Sequence, residues 1–407
     1  MLQYLAKAND QCHIVTTDDK PNLPEFAHGF PIWHTWGFQT VFYPVCVTFD
    51  NQLKALRSML KFRPDVAHIT TPGLFFLGAL LWARVLRVPV VMVYHTHLPE
   101  YCAKYWPRNA FWLRPLAWLL ISTFHGMADL TLVTSPQLKA EFEAHGIKRV
   151  DVWRKGVDTD NFNPKYFDSE VRCRMLGGVV DDAKDFLIVI VGRIDSAKNI
   201  HLLKPILQKV PNARLCVVGA GPETGWLKED LKGTATTFLG ELRGEQLSKV
   251  FASADAFVMP SETETLGFVV LESMASGVPV VGAKAGGIPS IIEDGVNSFL
   301  ATPNDVESFA EKLNLLRTNK KLRMQMSVKG RSHCEKWGWE AATSVLRNVQ
   351  YETAIENYKW RGFWGFGGWT DVYLREKVRD CGKWVLGGPR RWIGGESRLD
   401  DSCRAPR

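Results

Sequence analysis

Between Phe186 and Ala301 the chain repeats one pattern: a short apolar run, a turn, then a stretch with helical spacing. The runs are Phe186–Val191, Arg214–Val218, Thr236–Leu239, Ala256–Met259, Val278–Val281 and Ser298–Ala301. They are too short for helices, and most lack an alternating polar face. Strands of that kind are buried on both faces, as in a parallel sheet covered by helices. Gly192, Gly219, Gly221, Gly240 and Gly277 punctuate the turns. The expectation is an α/β, doubly wound domain.

The N-terminal half shows the same alternation less sharply. Strands are expected at His13–Thr16, Val66–Ile69, Pro89–Tyr94 and Leu130–Thr134. Helices are expected at Leu53–Phe62, Leu77–Leu86, Trp112–Ala128 and Gln137–Ala144. A chain of 407 residues suits two such domains. The division runs 1–165 for a first Rossmann-like domain, 166–337 for a second and 338–360 for a C-terminal helix. The stretch Asn161–Lys184 is rich in Asp, Asn and Pro and reads as a linker. The Gly- and aromatic-rich tail, 361–407, receives no fold. Two parallel sheets in tandem leave a crevice between their carboxyl ends, where such folds bind ligands.

The formal charge of +7 is modest for this length and does not point to nucleic acid. It suits an anionic ligand or an anionic membrane surface. None of the eight cysteines forms a C-x-x-C pair, so neither a zinc knuckle nor a redox pair is expected. The apolar stretch Leu74–Val93 carries Arg84 and Arg87, and Pro115–Phe124 is about half the length needed to span a bilayer. The segment Lys104–Leu120 interleaves Trp and Phe with Arg and Lys. It reads either as a membrane-surface contact or as a buried helix.

The richest segment is 259–292, MPSETETLGFVVLESMASGVPVVGAKAGGIPSII. A strand ends at Met259, a loop carries Ser261, Glu262 and Glu264, and a helix starts near Leu266. A helix start presents unpaired N–H groups to an anion. Thr265, Leu266 and Gly267 are therefore candidates to face a diphosphate, with Gly267 permitting close approach. Glu264 is placed to accept from sugar hydroxyls, and Glu272 to clamp ribose hydroxyls. Gly286 and Gly287 make a second tight loop. Taken singly, either Glu is equally a residue that complements a helix dipole.

Together the loop, Glu264, Gly267, Glu272 at the E-x7-E spacing and the AGGIP loop resemble the family 4 retaining glycosyltransferases of the GT-B fold. The resemblance implies further positions. Gly192-Arg193 followed by Lys198 is similar to the family's G-R-x4-K element, whose cations neutralise the donor diphosphate. Gly219-Ala220-Gly221-Pro222 is similar to its G-x-G-P turn. In Tyr94-His95-Thr96-His97-Leu98-Pro99 two histidines alternate, but no third metal ligand stands nearby in sequence. The resemblance gives one of them contact with the transferred sugar, and His97 is preferred over His95. No metal and no cofactor beyond a UDP-sugar donor are expected, since Arg193 and Lys198 take a metal's electrostatic place.

The stretches VVMVYHTHLPEY and RKGVDTDNFNP are most similar to family members that make sulfolipid. That resemblance implies transfer of sulfoquinovose from UDP-sulfoquinovose to diacylglycerol, at a plastid membrane surface. Lys104, Arg108 and Lys155 are candidates to meet the sulfonate. Alternatives are a hexosyltransferase using UDP-glucose or GDP-mannose, a nucleotide-sugar 2-epimerase, or an inactive binding protein. The family's opening strand and Gly-rich turn, with any transit peptide, are expected to lie before Met1.

Overall fold

The computed structural model describes residues 1–17, 23–39, 46–47, 50, 52–71, 75–100, 112–154, 156–178 and 185–360. Lys104, Arg108, Lys155 and the tail 361–407 lie outside the described residues.

The N-terminal part opens with helix α1 (Leu2–Lys7) and strands β1 (Ile14–Thr17), β2 (Phe26–Ala27) and β3 (Phe30–Thr35). These strands form a sheet of order β1-β3-β2, with β1 parallel to β3 and β2 antiparallel to it. A short antiparallel pair follows, β4 (Phe38–Gln39) and β5 (Cys46–Val47). Then come α2 (Lys54–Phe62), β6 (Ala67–Thr71), α3 (Phe75–Val85), β7 (Val90–Tyr94), α4 (Leu113–Gly126), β8 (Leu130–Val133), α5 (Pro136–Ala144) and β9 (Val150–Val152). Strands β6, β7, β8 and β9 form a parallel sheet in that order. Every side chain of β7 is buried, as expected for a strand covered on both faces.

The second part holds α6 (Ser169–Met175), β10 (Phe186–Val191), α7 (Leu203–Gln208), β11 (Ala213–Val218), α8 (Thr224–Asp230), β12 (Thr236–Gly240), α9 (Gly244–Ala252) and β13 (Ala256–Met259). It continues with α10 (Phe268–Ala275), β14 (Val280–Ala283), β15 (Phe299–Ala301), α11 (Val306–Thr318) and α12 (Lys320–Lys336). Six parallel strands run in the order β12-β11-β10-β13-β14-β15. The order reverses between β10 and β13, and a doubly wound sheet binds ligands at such a switch point. Alternate residues of β10 enter opposite cores. Phe186, Ile188 and Ile190 join one cluster with α7 and α11. Leu187, Val189 and Val191 join another with α9 and α10. Each buried aliphatic side chain stabilises the fold by roughly 1.5–3 kcal/mol relative to exposure.

Three expectations differ in detail. The stretch read as a linker contains α6, whose Asp168 carboxylate accepts from the N–H groups of Glu170 (3.0 Å) and Val171 (3.1 Å). Met175 and Leu176 then enter the core of the second sheet. Helix α10 begins at Phe268 rather than near Leu266, because Gly267 caps it in a left-handed conformation with φ 78°. Strand β14 begins at Val280 rather than Val278, since the Val278 N–H still closes the α10 terminus onto Ser273 O at 3.0 Å.

Helix α13 (Trp339–Val345) and helix α14 (Tyr351–Trp360) flank a π-helical turn at Leu346–Gln350 and return to the first domain. Leu346 and Ala354 pack with Val91, Val93, Leu130, Leu132 and Trp153. Trp153 Nε1 donates to Ala342 O (3.1 Å), and Asn357 Nδ2 donates to Asp129 O (2.9 Å). The outgoing and returning segments run alongside each other, with Val157 bridged in parallel to Gly338. A Cβ on Gly156 would strike the Gly338 backbone.

Candidate active site

The cleft between the two parallel sheets holds a cavity of about 280 Å³. From the first domain it is lined by His95, just after β7, and Thr134, just after β8. From the second it is lined by Val191, Gly192 and Lys198, and by the segment Glu264–Val269. The lining therefore comes from strand ends at the switch point of one sheet and from two neighbouring strand ends of the other.

Glycine lets the loops stack. A Cβ on Gly219 would collide with the Gly192 carbonyl. Behind the Glu264 loop, a Cβ on Gly286 would strike Glu264 O, and one on Gly287 would strike Thr265 O. Gly287 N–H instead donates to Glu264 O at 2.7 Å. The AGGIP loop thus sets the height of the Glu264 loop.

Lys198 Nζ donates to the Glu264 carboxylate inside the cavity. Their neighbours hold the loop that carries Lys198. Ser261 Oγ donates to Ala197 O (3.1 Å), and Asn199 Nδ2 donates to Pro260 O (3.2 Å). Asn199 adopts a left-handed conformation, φ 51°, which Asn tolerates better than most residues. Arg193 does not line the cavity. Its side chain is 51% exposed and its Nε lies 3.4 Å from Asp195 Oδ2. It stands on the loop beside Gly192, able to reach an anion by a rotamer change.

Glu272 lies on α10, one turn in from the cap, and does not line the cavity. Burial pushes its carboxyl up to about 7. Gly219 also stands back from the cavity and shapes it through its contact with Gly192.

The two histidines part company. His95 lines the cavity, whereas His97 does not. His97 Nε2 is 2.8 Å from Glu141 Oε2 on α5, and its ring meets Trp118 of α4 edge-on. Burial pushes the Glu141 carboxyl up. The His97 hydrogen bond and the charges of His97, His145 and Arg114 more than offset this, leaving Glu141 below its usual range. Residues two apart on a strand share a face, but β7 ends at Tyr94 and the chain bends at Thr96, so the two histidines are free to face different ways.

Sequence reasoning missed Thr134, Asn199 and the interdomain role of Thr265. Thr265 Oγ1 donates to His95 O at 2.7 Å, and Thr134 Oγ1 donates to Thr265 O at 2.8 Å. Only the position of Thr134 at a strand end hinted at its place. Among the described residues no helix is long and apolar enough to cross a membrane.

Two doubly wound domains facing a cleft, with paired acidic and basic groups and a glycine-stacked loop at the switch point, define a GT-B glycosyltransferase. The family model for Glycosyltransferase Family 4 matches residues 1–161, and that for Glycosyl transferases group 1 matches 179–333. The chain is 39% identical over 368 residues to sulfoquinovosyl transferase SQD2 of Arabidopsis thaliana, covering 88% of this chain and 70% of that one. It is 32% identical over 301 residues to a GDP-mannose-dependent alpha-mannosyltransferase of Corynebacterium glutamicum, covering 69% of this chain and 67% of that one. The chain belongs to glycosyltransferase family 4 and is an enzyme of that class. In fold it is similar to sucrose-phosphate synthase from Thermosynechococcus elongatus, with TM-score 0.69, 19% identity and coverage of 86% and 90%. It is also similar to Anabaena HepE in complex with UDP and glucose, with TM-score 0.66, 17% identity and coverage of 86% and 94%.

Proposed function

We propose that the chain transfers sulfoquinovose from UDP-sulfoquinovose to a hydroxyl of diacylglycerol, with retention at the sugar carbon. The observation that carries this reading is the 39% identity to a sulfoquinovosyl transferase over 88% of the chain, spanning both domains. In support of it, the cavity brings His95, Lys198, Glu264 and the Leu266–Gly267 segment together.

In this reading Leu266 and Gly267 N–H groups, with Lys198 and Arg193, hold the diphosphate. Fixed cations stabilise the charge that develops as it leaves, without a metal ion. Glu264 takes the sugar hydroxyls, His95 lies beside the sugar, and Glu272 takes the ribose. The acceptor oxygen attacks from the face the diphosphate leaves, and its proton passes to a departing phosphate oxygen.

The acceptor is a lipid, so the first domain is read as meeting a membrane surface at the plastid. Supporting this, Trp112, Leu116, Leu119 and Leu120 on and beside α4 are exposed. They fall on a helical stripe, with the Arg114–Glu100 ion pair (2.8 Å) nearby.

The test is turnover with diacylglycerol vesicles and UDP-sulfoquinovose, UDP-glucose or GDP-mannose. Sulfolipid from the first donor alone is the expected result. Faster transfer from GDP-mannose would reject the donor assignment in favour of the reading suggested by the mannosyltransferase relative.

A further inference from the structure

Thr265, on the Glu264 loop, makes two hydrogen bonds into the other domain. Its hydroxyl donates to the carbonyl of His95, at the end of β7 (2.7 Å). Its own carbonyl accepts from the Thr134 hydroxyl, at the end of β8 (2.8 Å). Strands β7 and β8 are hydrogen-bonded neighbours. A single peptide unit of the second domain is thus held between two adjacent strand ends of the first.

The same unit is closed off from behind. A Cβ on Gly287 would strike Thr265 O, and Gly287 N–H donates to Glu264 O at 2.7 Å. Leu266, the next residue, is buried, and Gly267 takes φ 78° to start α10. The loop has its own domain on one side and the opposite domain on the other. Its shape therefore depends on both.

We infer that Thr265 is a positioning residue: it ties the shape of the donor loop to docking of the first domain, so that Glu264 and the Leu266–Gly267 N–H groups take their working places only when the cleft is closed. The nucleoside part of a donor, read as meeting Glu272, would bind the second domain without this tie. Sugar transfer would need it, because small misplacement of reacting groups lowers the rate steeply. The hydroxyl is the active part. Valine keeps the size and branching of threonine but removes that donor from the half-buried His95 carbonyl. Serine keeps the donor.

This inference rests on reading the cavity as the donor site, and two measurements separate them. Hydrogen exchange needs no substrate. The reporting amides are Gly287, bonded to Glu264 O, and Val270, bonded to Gly267 O at 2.9 Å. Both are expected to exchange about tenfold or more faster in Thr265→Val, while amides of β10 hold their rate. Thr265→Ser is expected to restore protection. In turnover, Thr265→Val is expected to lose about tenfold or more in kcat, a larger loss than that in UDP affinity, and Thr265→Ser is expected to recover most of it. Thr134→Val should act in the same direction. Unchanged exchange at Gly287 and Val270 in Thr265→Val would overturn the inference, as would equal losses in the valine and serine variants. A native chain that ignores UDP-sulfoquinovose but shows the exchange pattern would reject the substrate reading and keep the positioning role.

Discussion

His97 and Glu141 are joined at 2.8 Å, Nε2 to Oε2, and this contact turns the His97 ring away from the cavity that His95 lines. The two histidines therefore carry separable roles. His95→Ala is expected to lower kcat by about 100-fold, the scale of losing one polar group that meets the reacting centre. His97→Ala is expected to retain most turnover and lose about 1 kcal/mol of stability, the net worth of one hydrogen bond. Steady-state rates and thermal unfolding of the two variants distinguish these outcomes. A larger rate loss in His97→Ala than in His95→Ala would reverse the assignment.

Lys198 and Glu264 pair inside the cavity, and each should matter to a different part of the donor. Lys198→Ala is expected to weaken UDP binding and reduce kcat by about 100-fold or more, since it removes a cation from the leaving group. Glu264→Ala is expected to reduce turnover while sparing UDP affinity. Calorimetry with UDP beside rate measurements checks both. Chelators are expected to leave the rate unchanged, because these cations replace a metal in the proposed mechanism.

Glu272 titrates near 7 because burial disfavours its charged form. Its folded value lies above the ordinary carboxylate value, so the folded chain binds the proton more tightly. The resulting stability is complete below the ordinary carboxylate range and is lost as pH rises through about 7. Glu272→Gln is expected to flatten that decline in thermal melts taken on either side of neutrality. If the carboxylate clamps ribose, UDP affinity rises as pH passes through about 7, and UDP binding releases a proton. Glu272→Ala should then bind UDP more weakly at alkaline pH. Equal affinity in the two chains would remove the clamp.

Gly287 has φ −82°, a conformation any residue adopts, so only the contact with Thr265 O forbids a side chain there. Gly287→Ala is expected to cost about 1–3 kcal/mol, as overpacking does, and to depress turnover by lifting the Glu264 loop. Gly295 has φ 73° but open space around it. Gly295→Ala is expected to cost only backbone strain, about 1 kcal/mol, with kcat intact. Melting temperatures and kcat for the pair check the contrast.

Leu119 and Leu120 stand exposed on α4. Replacing both with Glu is expected to reduce binding to anionic vesicles about tenfold or more in flotation, with UDP affinity unchanged. Undiminished flotation would move the membrane contact elsewhere.

The second domain was legible nearly strand by strand. Its central strands β10, β13 and β14 are buried along their whole length, so their sequences are nearly continuous apolar runs. The first domain was less so. Strand β3 contains Pro31, which argues against a strand, yet Phe30–Thr35 forms one beside β1. Strand β9 is three residues with a central Asp151, too short for a periodic signal. Helix α6 had a readable start in Asp168, which compositional bias toward Asp and Asn obscured. At the site, Glu264, Thr265, Leu266, Gly267 and Lys198 were readable because one local motif or strand end carries each, and all line the cavity. What sequence did not carry was the choice between His95 and His97, or the meeting of Thr265 with Thr134. Both depend on how one domain faces another, and no local spacing records that.

The bridge between Val157 and Gly338 has a mechanical consequence. Two strands of chain cross between the domains at one place, pressed together because Gly156 has no side chain to hold them apart. A single crossing would act as a swivel. Two crossings lying flat against each other act as a leaf spring, which bends in one plane and resists torsion. Any closing of the cleft would then steer the Glu264 loop along one arc to His95 and Thr134.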